Sequence, residues 1–167
     1  MSKQEEFSGI RHPNRVKHAY TQSVRGTPDQ VFPLLCPVRE LDWAPGWSTD
    51  WVISASGTVE QECMFQPPSP ADTTSASIWI VTQHDPDAFE VEMYKVTPGV
   101  TVGKLAISLT AQGPTGTRAQ ISYEFTSLGA DGDEFLADFT AKWYENFMQG
   151  WETAINHYLK TGEQLAA

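Results

Sequence analysis

The sequence predicts an α+β fold in which one curved antiparallel sheet grips a long C-terminal helix, in the element order β-α-α-β6-α. Two observations carry this prediction. After residue 50, six β-prone segments, several of them alternating apolar and polar residues, are separated only by turn signals, with no room for crossover helices. A later segment instead repeats large apolar residues every three or four positions, as a helix that covers a broad sheet does.

The N-terminal part predicts one strand followed by two short helices. Alternating side chains over residues 15–24 indicate a half-buried strand. Thr27 is placed to cap a helix, and Pro28 occupies the first helical position, where its missing N–H costs nothing. Pro37 either ends this helix or starts a second one over residues 37–41.

The six later strands are predicted where β-prone runs lie between Gly, Pro and Asp turn signals. Pro98-Gly99 suits a type II turn because glycine supplies the positive φ, and the run from Gly113 to Gly116 closes the last hairpin. Alternation in the last two strands gives the sheet one buried and one wet face. The predicted strands span residues 51–55, 59–66, 76–84, 89–96, 100–110 and 118–128.

The C-terminal helix is predicted over residues 133–160. Asp131 and Glu134 have the spacing of a capping box, and Gly162 is placed as the C-terminal cap. Gly150 costs the helix about 1 kcal/mol relative to Ala, which points to close packing or to space for a ligand. The predicted apolar stripe consists of Phe135, Leu136, Phe139, Trp143, Phe147, Trp151, Ile155, Tyr158 and Leu159.

Composition excludes several classes of partner. Eleven basic against 21 acidic side chains give a net charge of −10, which argues against nucleic acid and anionic membrane surfaces. No run of 18 apolar residues predicts a membrane span, and the polar, acid-containing start predicts no export signal, hence a cytoplasmic location. Cys36 and Cys63 are expected to be buried free thiols in a reduced compartment.

The length of 167 residues with 40% apolar content suits a single core. We therefore predict a polar N-terminal tail over residues 1–14, one domain over residues 15–162 and a C-terminal tail over residues 163–167.

The sequence predicts no metal site and no cofactor. No two of the four histidines have a ligand spacing, and neither a glycine-rich phosphate loop nor a nucleophile elbow occurs. Glu62, His84 and Tyr123 remain as candidate catalytic acids or bases. Two of them have structural alternatives, because Glu62 faces water if its strand neighbours point inward and His84 suits a turn beside Asp85.

Three segments resemble the polyketide cyclase/START-like superfamily, also called SRPBCC or Bet v 1-like, and the similarity extends over nearly all of residues 15–160. They are VFPLLCPVRELDWAPGW at residues 31–47, IWIVT at residues 78–82 followed by Asp85-Pro86, and NHYLKTG at residues 156–162. The resemblance implies a helix-grip fold with a deep apolar cavity between the sheet and the long helix. It implies no single reaction.

Aromatic side chains favour a pocket under the long helix, although ordinary core packing explains the same stripe. Trp43 and Trp47 suit either the rim of this pocket or buried anchors, and Arg39 either meets an anionic ligand head group or forms a surface ion pair. The predicted ligand-binding residues are Trp79, Leu105, Ile107, Tyr123, Phe125, Phe139, Trp143 and Phe147.

We therefore predict binding of a small apolar or aromatic molecule, lipids included. The first alternative is an enzyme of the polyketide cyclase or dehydratase type that acts on such a ligand. The second is a partner-binding regulatory or chaperone-like module. An acid or base inside the pocket distinguishes the enzyme, and a large exposed apolar patch distinguishes the module. The sequence leaves open whether the chain is a monomer or a homodimer.

Overall fold

The computed structural model describes residues 9–69 and 76–166 and has the predicted α+β architecture. The strands of this part are β1 (Arg15–Arg25), β2 (Trp51–Ile53), β3 (Met64–Gln66), β4 (Ile78–Asp85), β5 (Glu90–Thr97), β6 (Thr101–Gln112) and β7 (Gly116–Ser127). The helices are α1 (Pro28–Val31), a 3₁₀ helix (Phe32–Leu34), α2 (Glu40–Trp43), α3 (Ala130–Asp138) and α4 (Ala141–Thr161). Residues 1–8 and 167 of the predicted tails lie outside the described residues.

The described strands form one antiparallel sheet in the order β1-β7-β6-β5-β4-β3-β2. Strands β2 to β7 follow one another as neighbours, and β1 joins the open side of β7, with Arg15 opposite Thr126 and Arg25 opposite Gly116. On β6 the buried Leu105, Ile107 and Leu109 alternate with more exposed residues, so one face of the sheet forms the core and the other meets solvent.

The first helix forms as its sequence predicts. The Gln30 side chain accepts a hydrogen bond of 2.9 Å from the Thr27 backbone N–H, and Pro28 occupies the first turn. The second helix begins at Glu40 rather than at Pro37, and the backbone N–H of Glu40 donates to the Cys36 carbonyl over 2.8 Å.

Strands β2 and β3 are shorter than predicted. Most of residues 54–63 form turns instead of strand, because the Glu60 carboxylate accepts hydrogen bonds from the backbone N–H groups of Ala55 and Ser56 and from the Ser54 hydroxyl. Glu62 also has a φ of 68°, which no regular strand contains. A side chain that collects these donors replaces the ladder that a longer strand would need.

The predicted continuous C-terminal helix is wrong, because it is divided into α3 and α4. Phe139 leaves the helical conformation with a ψ of 64°, and its carbonyl accepts a hydrogen bond of 2.8 Å from His18 Nε2. The Thr140 hydroxyl then caps α4 by accepting from the Trp143 N–H over 3.1 Å. Gly162 ends α4 with a φ of 75°, as predicted.

The capping box expected at Asp131 and Glu134 is also absent. Helix α3 begins at Ala130, after an N-terminal cap at Gly129, so both acidic residues lie inside the helix. Gly132 in this first turn lies against Ser127 of β7 and against the turn before β6, where a Cβ would overlap the Val100 carbonyl. The start of α3 therefore depends on close backbone contact rather than on a side-chain cap.

The buried face of α4 differs from the predicted stripe. Tyr144, Met148 and Ile155 are buried, whereas Trp143 is 51% exposed and Phe147 is 45% exposed. The restart of the helix after Phe139 rotates the face that meets the sheet, so the pattern of α3 does not continue into α4. Gly150 faces open space, with no atom within 4 Å of the position of a Cβ, so close packing does not explain it.

Two predictions from composition concern the cysteines and membrane insertion. Cys36 and Cys63 are buried free thiols, as predicted. Within the described ranges, no helix is both long and apolar enough to cross a bilayer.

Candidate ligand-binding site

Two adjoining cavities lie between the inner face of the sheet and α4. The first, the outer chamber, has a volume of about 460 Å³ and includes the partly exposed side chains of α3 and α4. The second, the inner chamber, has a volume of about 100 Å³ and reaches α2 and the buried strand residues. The two chambers meet at Trp47, Trp79, Tyr123 and Phe147, which line both.

Aromatic rings form most of the outer chamber. The ring of Phe125 meets those of Phe135 and Phe139 edge-on, with centroids 4.7 and 5.0 Å apart. Trp143 stacks on Phe147 with a centroid distance of 5.3 Å and an interplanar angle of 13°. Because Trp143 and Phe147 are about half exposed, this stack lies at the mouth of the chamber, where a flat apolar molecule gains contact area.

A glycine on the neighbouring strand sets the position of Phe125. Gly103 pairs with Phe125 across β6 and β7, and a Cβ on Gly103 would lie 2.5 Å from the phenyl ring. The missing side chain lets the ring lie over the β6 backbone, with its other face toward the aromatic side chains of α3.

Lys95 supplies the positive charge among the described residues that line the outer chamber. Its ammonium lies 5.6 Å from the centroid of the Trp79 ring, within the range of a cation–π interaction. Burial lowers the pKa of Lys95. The Tyr144 hydroxyl, in contrast, donates to the Ile121 carbonyl over 2.5 Å and holds α4 against β7. Lys95 is therefore the cationic group on this wall, and its charge suits an acidic ligand.

Glu40 places a carboxyl group in the inner chamber, whose other lining residues are largely apolar. It is the first residue of α2, and the hydrogen bond from its backbone N–H to Cys36 fixes the start of that helix. Burial raises the pKa of Glu40 from 4.5 to about 8. Among the described residues, none of the side-chain hydrogen bonds or ion pairs involves this carboxylate. The apolar residues that surround it are Leu35, Pro37, Ala44, Phe65, Met93, Leu105 and Trp151.

Tyr123 lies between the chambers and lines both of them. Its ring meets those of Tyr144 and Phe147 edge-on at 5.9 and 6.3 Å, which fixes its orientation. Burial raises the pKa of the Tyr123 phenol far above its ordinary value, and the nearby Glu40 carboxylate raises it further. The phenol therefore stays protonated near neutral pH and can act as a hydrogen-bond donor.

The structure brings most of the predicted site residues to these chambers. Ile107 is buried elsewhere in the core and lines neither chamber. The predicted residues that do line a chamber are Trp47, Trp79, Leu105, Tyr123, Phe125, Phe139, Trp143 and Phe147.

Trp43 and Arg39 do not form a pocket rim. Trp43 is fully buried, its indole N–H donates to the Leu34 carbonyl over 2.9 Å, and its ring packs 5.4 Å from that of Trp151. Arg39 forms an exposed ion pair of 2.8 Å with Asp42. Trp43 is thus a buried anchor, and Arg39 is a surface residue.

Of the three predicted acids and bases, Tyr123 alone lines a chamber. Glu62 is exposed in the turn before β3. His84 stacks on Phe32 at 5.3 Å, and desolvation lowers its pKa, but it contacts neither chamber. Glu62 and His84 therefore have no place in the site.

Sequence reasoning missed Glu40 because it lies in an apparent surface cluster with Arg39 and Asp42. The positions of these residues around the axis of α2 could have indicated that Glu40 faces inward. Arg39 and Asp42 are three residues apart and pair on the outside, whereas Glu40 shares its face with Trp43 and Ala44, which are apolar and buried.

Comparison with known proteins identifies the fold. No protein-family model matches the chain, and no curated protein sequence matches it significantly. Its structure is similar to norcoclaurine synthase from Thalictrum flavum, with a TM-score of 0.65 at 11% identity over 93% of this chain and 96% of that one. A Staphylococcus aureus protein of unknown function matches with a TM-score of 0.63 at 11% identity over 90% and 97% of the two chains. Ara h 8.0201 matches with a TM-score of 0.58 at 17% identity over 87% of this chain and 99% of that one.

These similarities show the fold of the protein. The chain has the helix-grip fold that the sequence predicts, in which a curved antiparallel sheet packs against C-terminal helices. At such low identity the likeness shows the fold alone, so the function must be argued from the two chambers.

Proposed function

We propose that the protein binds a small molecule with an aromatic or apolar body and one polar end. The aromatic outer chamber that leads to Tyr123 and the inner chamber is the observation that carries this proposal. The body of the ligand would lie against the rings of the outer chamber, and its polar end would reach Tyr123 or Lys95. A structure of norcoclaurine synthase that holds dopamine and hydroxybenzaldehyde supports binding of this kind within the same fold.

The expected affinity follows from the area available. Burying about 200 Å² of apolar ligand surface contributes on the order of 5 kcal/mol at 25 cal/mol per Å². The lost freedom of the ligand offsets part of this gain, so we expect a generic aromatic probe to bind with a Kd of about 1 mM, which corresponds to about 4 kcal/mol.

Three exposed aromatic side chains of α3 and α4 favour ligand binding over the partner-binding alternative. Phe135, Trp143 and Phe147 are among the large apolar residues that are at least one-third exposed, and all three line the outer chamber. Their exposure is therefore explained by a ligand pocket. A cytoplasmic place of action for this binding stays a prediction from the sequence.

A titration with the fluorescent dye 8-anilinonaphthalene-1-sulfonate tests the proposal. Ser77 lines the outer chamber, so Ser77→Trp should fill part of it and weaken dye binding about tenfold, which equals about 1.4 kcal/mol. Ser108→Trp is the matched control, because Ser108 lies on the opposite face of the sheet. Thermal unfolding of both variants checks that they fold. Absence of dye binding to the wild type, or equal weakening by both variants, would contradict the proposal.

A further inference from the structure

We infer that the inner chamber is a proton-transfer site for a ligand with a carbonyl group beside a C–H bond, in which Glu40 acts as the base and Tyr123 as the hydrogen-bond donor. The inference rests on the proposed function, because the body of the ligand must first occupy the outer chamber.

The surroundings of Glu40 are the first support. Glu40 is half-buried and lines an apolar cavity, where a carboxylate destabilises the folded protein unless it is paired. The basic residue next in the chain, Arg39, instead pairs with Asp42 over 2.8 Å on the surface. None of the ion pairs among the described residues involves Glu40. An unpaired carboxyl group at the end of a ligand cavity has the placement of a functional acid or base.

Tyr123 is the second support. Edge-on contacts with Tyr144 and Phe147 hold its ring at the junction of the chambers. Its hydroxyl is not engaged by the described residues, unlike that of Tyr144, which donates to Ile121. A carbonyl oxygen that reaches this junction would meet the Tyr123 hydroxyl as a donor, and the adjoining carbon would point toward the chamber that contains Glu40.

The chemical step needs only these two groups. The Glu40 carboxylate takes a proton from the carbon next to the carbonyl, the electrons of that C–H bond form a C=C bond, and the π electrons of the C=O bond move to oxygen. The Tyr123 O–H stabilises the resulting enolate by donating a hydrogen bond. Glu40 then returns a proton to carbon, so atoms and charge balance without an oxidant, a reductant or a cofactor.

The electrostatics of the site suit this step. A general base works best when its pKa lies near the working pH, and burial raises that of Glu40 to about 8. Both protonation states of Glu40 are therefore populated near neutral pH. The Tyr123 phenol stays protonated over the same range, since its pKa is raised far above its ordinary value.

Deuterium exchange into 2-tetralone, a small aromatic ketone, tests the inference. Proton NMR in D₂O follows the loss of the signal of the C–H groups beside the carbonyl, with protein-free buffer as the background. Binding of 2-tetralone is measured separately by displacement of the fluorescent dye. We expect the wild type to accelerate exchange about 100-fold, the low end for general acid–base catalysis, and the rate to rise with pH and level off above pH 8.

Three variants assign the step to its residues. Glu40→Gln should return exchange to the background rate while 2-tetralone binds with unchanged affinity, and Tyr123→Phe should lower the rate with a smaller effect on binding. Glu62→Gln makes the same substitution at an exposed site and should keep the wild-type rate.

The outcomes separate the inference from the proposed function. A protein that binds the dye but not 2-tetralone, or that binds 2-tetralone without accelerating exchange, overturns the inference and leaves the proposed function standing. Exchange that survives Glu40→Gln overturns it as well. A protein that binds neither the dye nor 2-tetralone overturns both the inference and the proposed function.

Discussion

The stability of the wild-type protein should fall as the pH rises because of Glu40, and the substitution Glu40→Gln should abolish this fall. The folded state holds the Glu40 proton up to a pKa of about 8, whereas an unfolded chain releases it near 4.5. The folded state therefore binds more protons between these values, and the free energy of unfolding falls as the pH rises through this range. At 1.36 kcal/mol per pH unit, the difference between 4.5 and about 8 corresponds to at most about 5 kcal/mol.

Urea unfolding followed by tryptophan fluorescence at pH 5, 6, 7, 8 and 9 measures this effect, since the chain contains six Trp. At pH 5 the free energies of unfolding of wild type and Glu40→Gln should lie within about 1 kcal/mol of each other. The reason is that the Glu40 carboxyl group is protonated in the folded state and is then neutral, like the Gln amide. The variant should then become the more stable protein by a margin that grows to pH 8 and stays constant above it. Glu62→Gln, at an exposed site, should follow the wild-type profile. A difference between wild type and Glu40→Gln that is the same at every pH would refute the reasoning.

The remaining predictions concern stability and use the same urea assay. Met148→Ala should lower the free energy of unfolding by about 2–5 kcal/mol because Met148 is fully buried. Trp143→Ala should lower it by only about 1 kcal/mol because Trp143 is half exposed. The reverse order would mean that the buried face of α4 is assigned wrongly. Gly132→Ala should cost about 1–3 kcal/mol because the new Cβ would overlap the Val100 carbonyl. Gly150→Ala, the matched change in open space, should instead stabilise α4 by about 0.5–1 kcal/mol, and equal effects at the two glycines would contradict this explanation.

Features encoded by local chemistry could be predicted from the sequence. The long strands β4 to β7 were predicted nearly to their ends, since period-2 patterns and turn residues need only their neighbours in the chain. Gly99 and Gly113 have φ values of 76° and 69°, as their predicted turns require. The C-terminal cap at Gly162 follows from the same local rule.

Features that depend on distant contacts could not be predicted. The residues around Phe139 favour a helix, and the division of the helix involves a hydrogen bond from His18, 121 residues earlier in the chain. The role of Glu40 likewise depends on Tyr123 and on the strands that enclose the inner chamber. Arg39 and Asp42, which lie close to it in the sequence, are charged, so a local pattern indicates a surface site.

The place of β1 at the edge beside β7 has a consequence for how the chain folds during synthesis. The paired residues Arg25 and Gly116 are 91 positions apart, and Arg15 and Thr126 are 111 apart. At about 5–20 residues per second, the ribosome makes the partner strand about 5–20 s after the first one. The first strand therefore has no partner strand until the last one is made. The polar side chains that alternate along β1 are of the kind that lowers the tendency of an unpaired strand to associate with other chains.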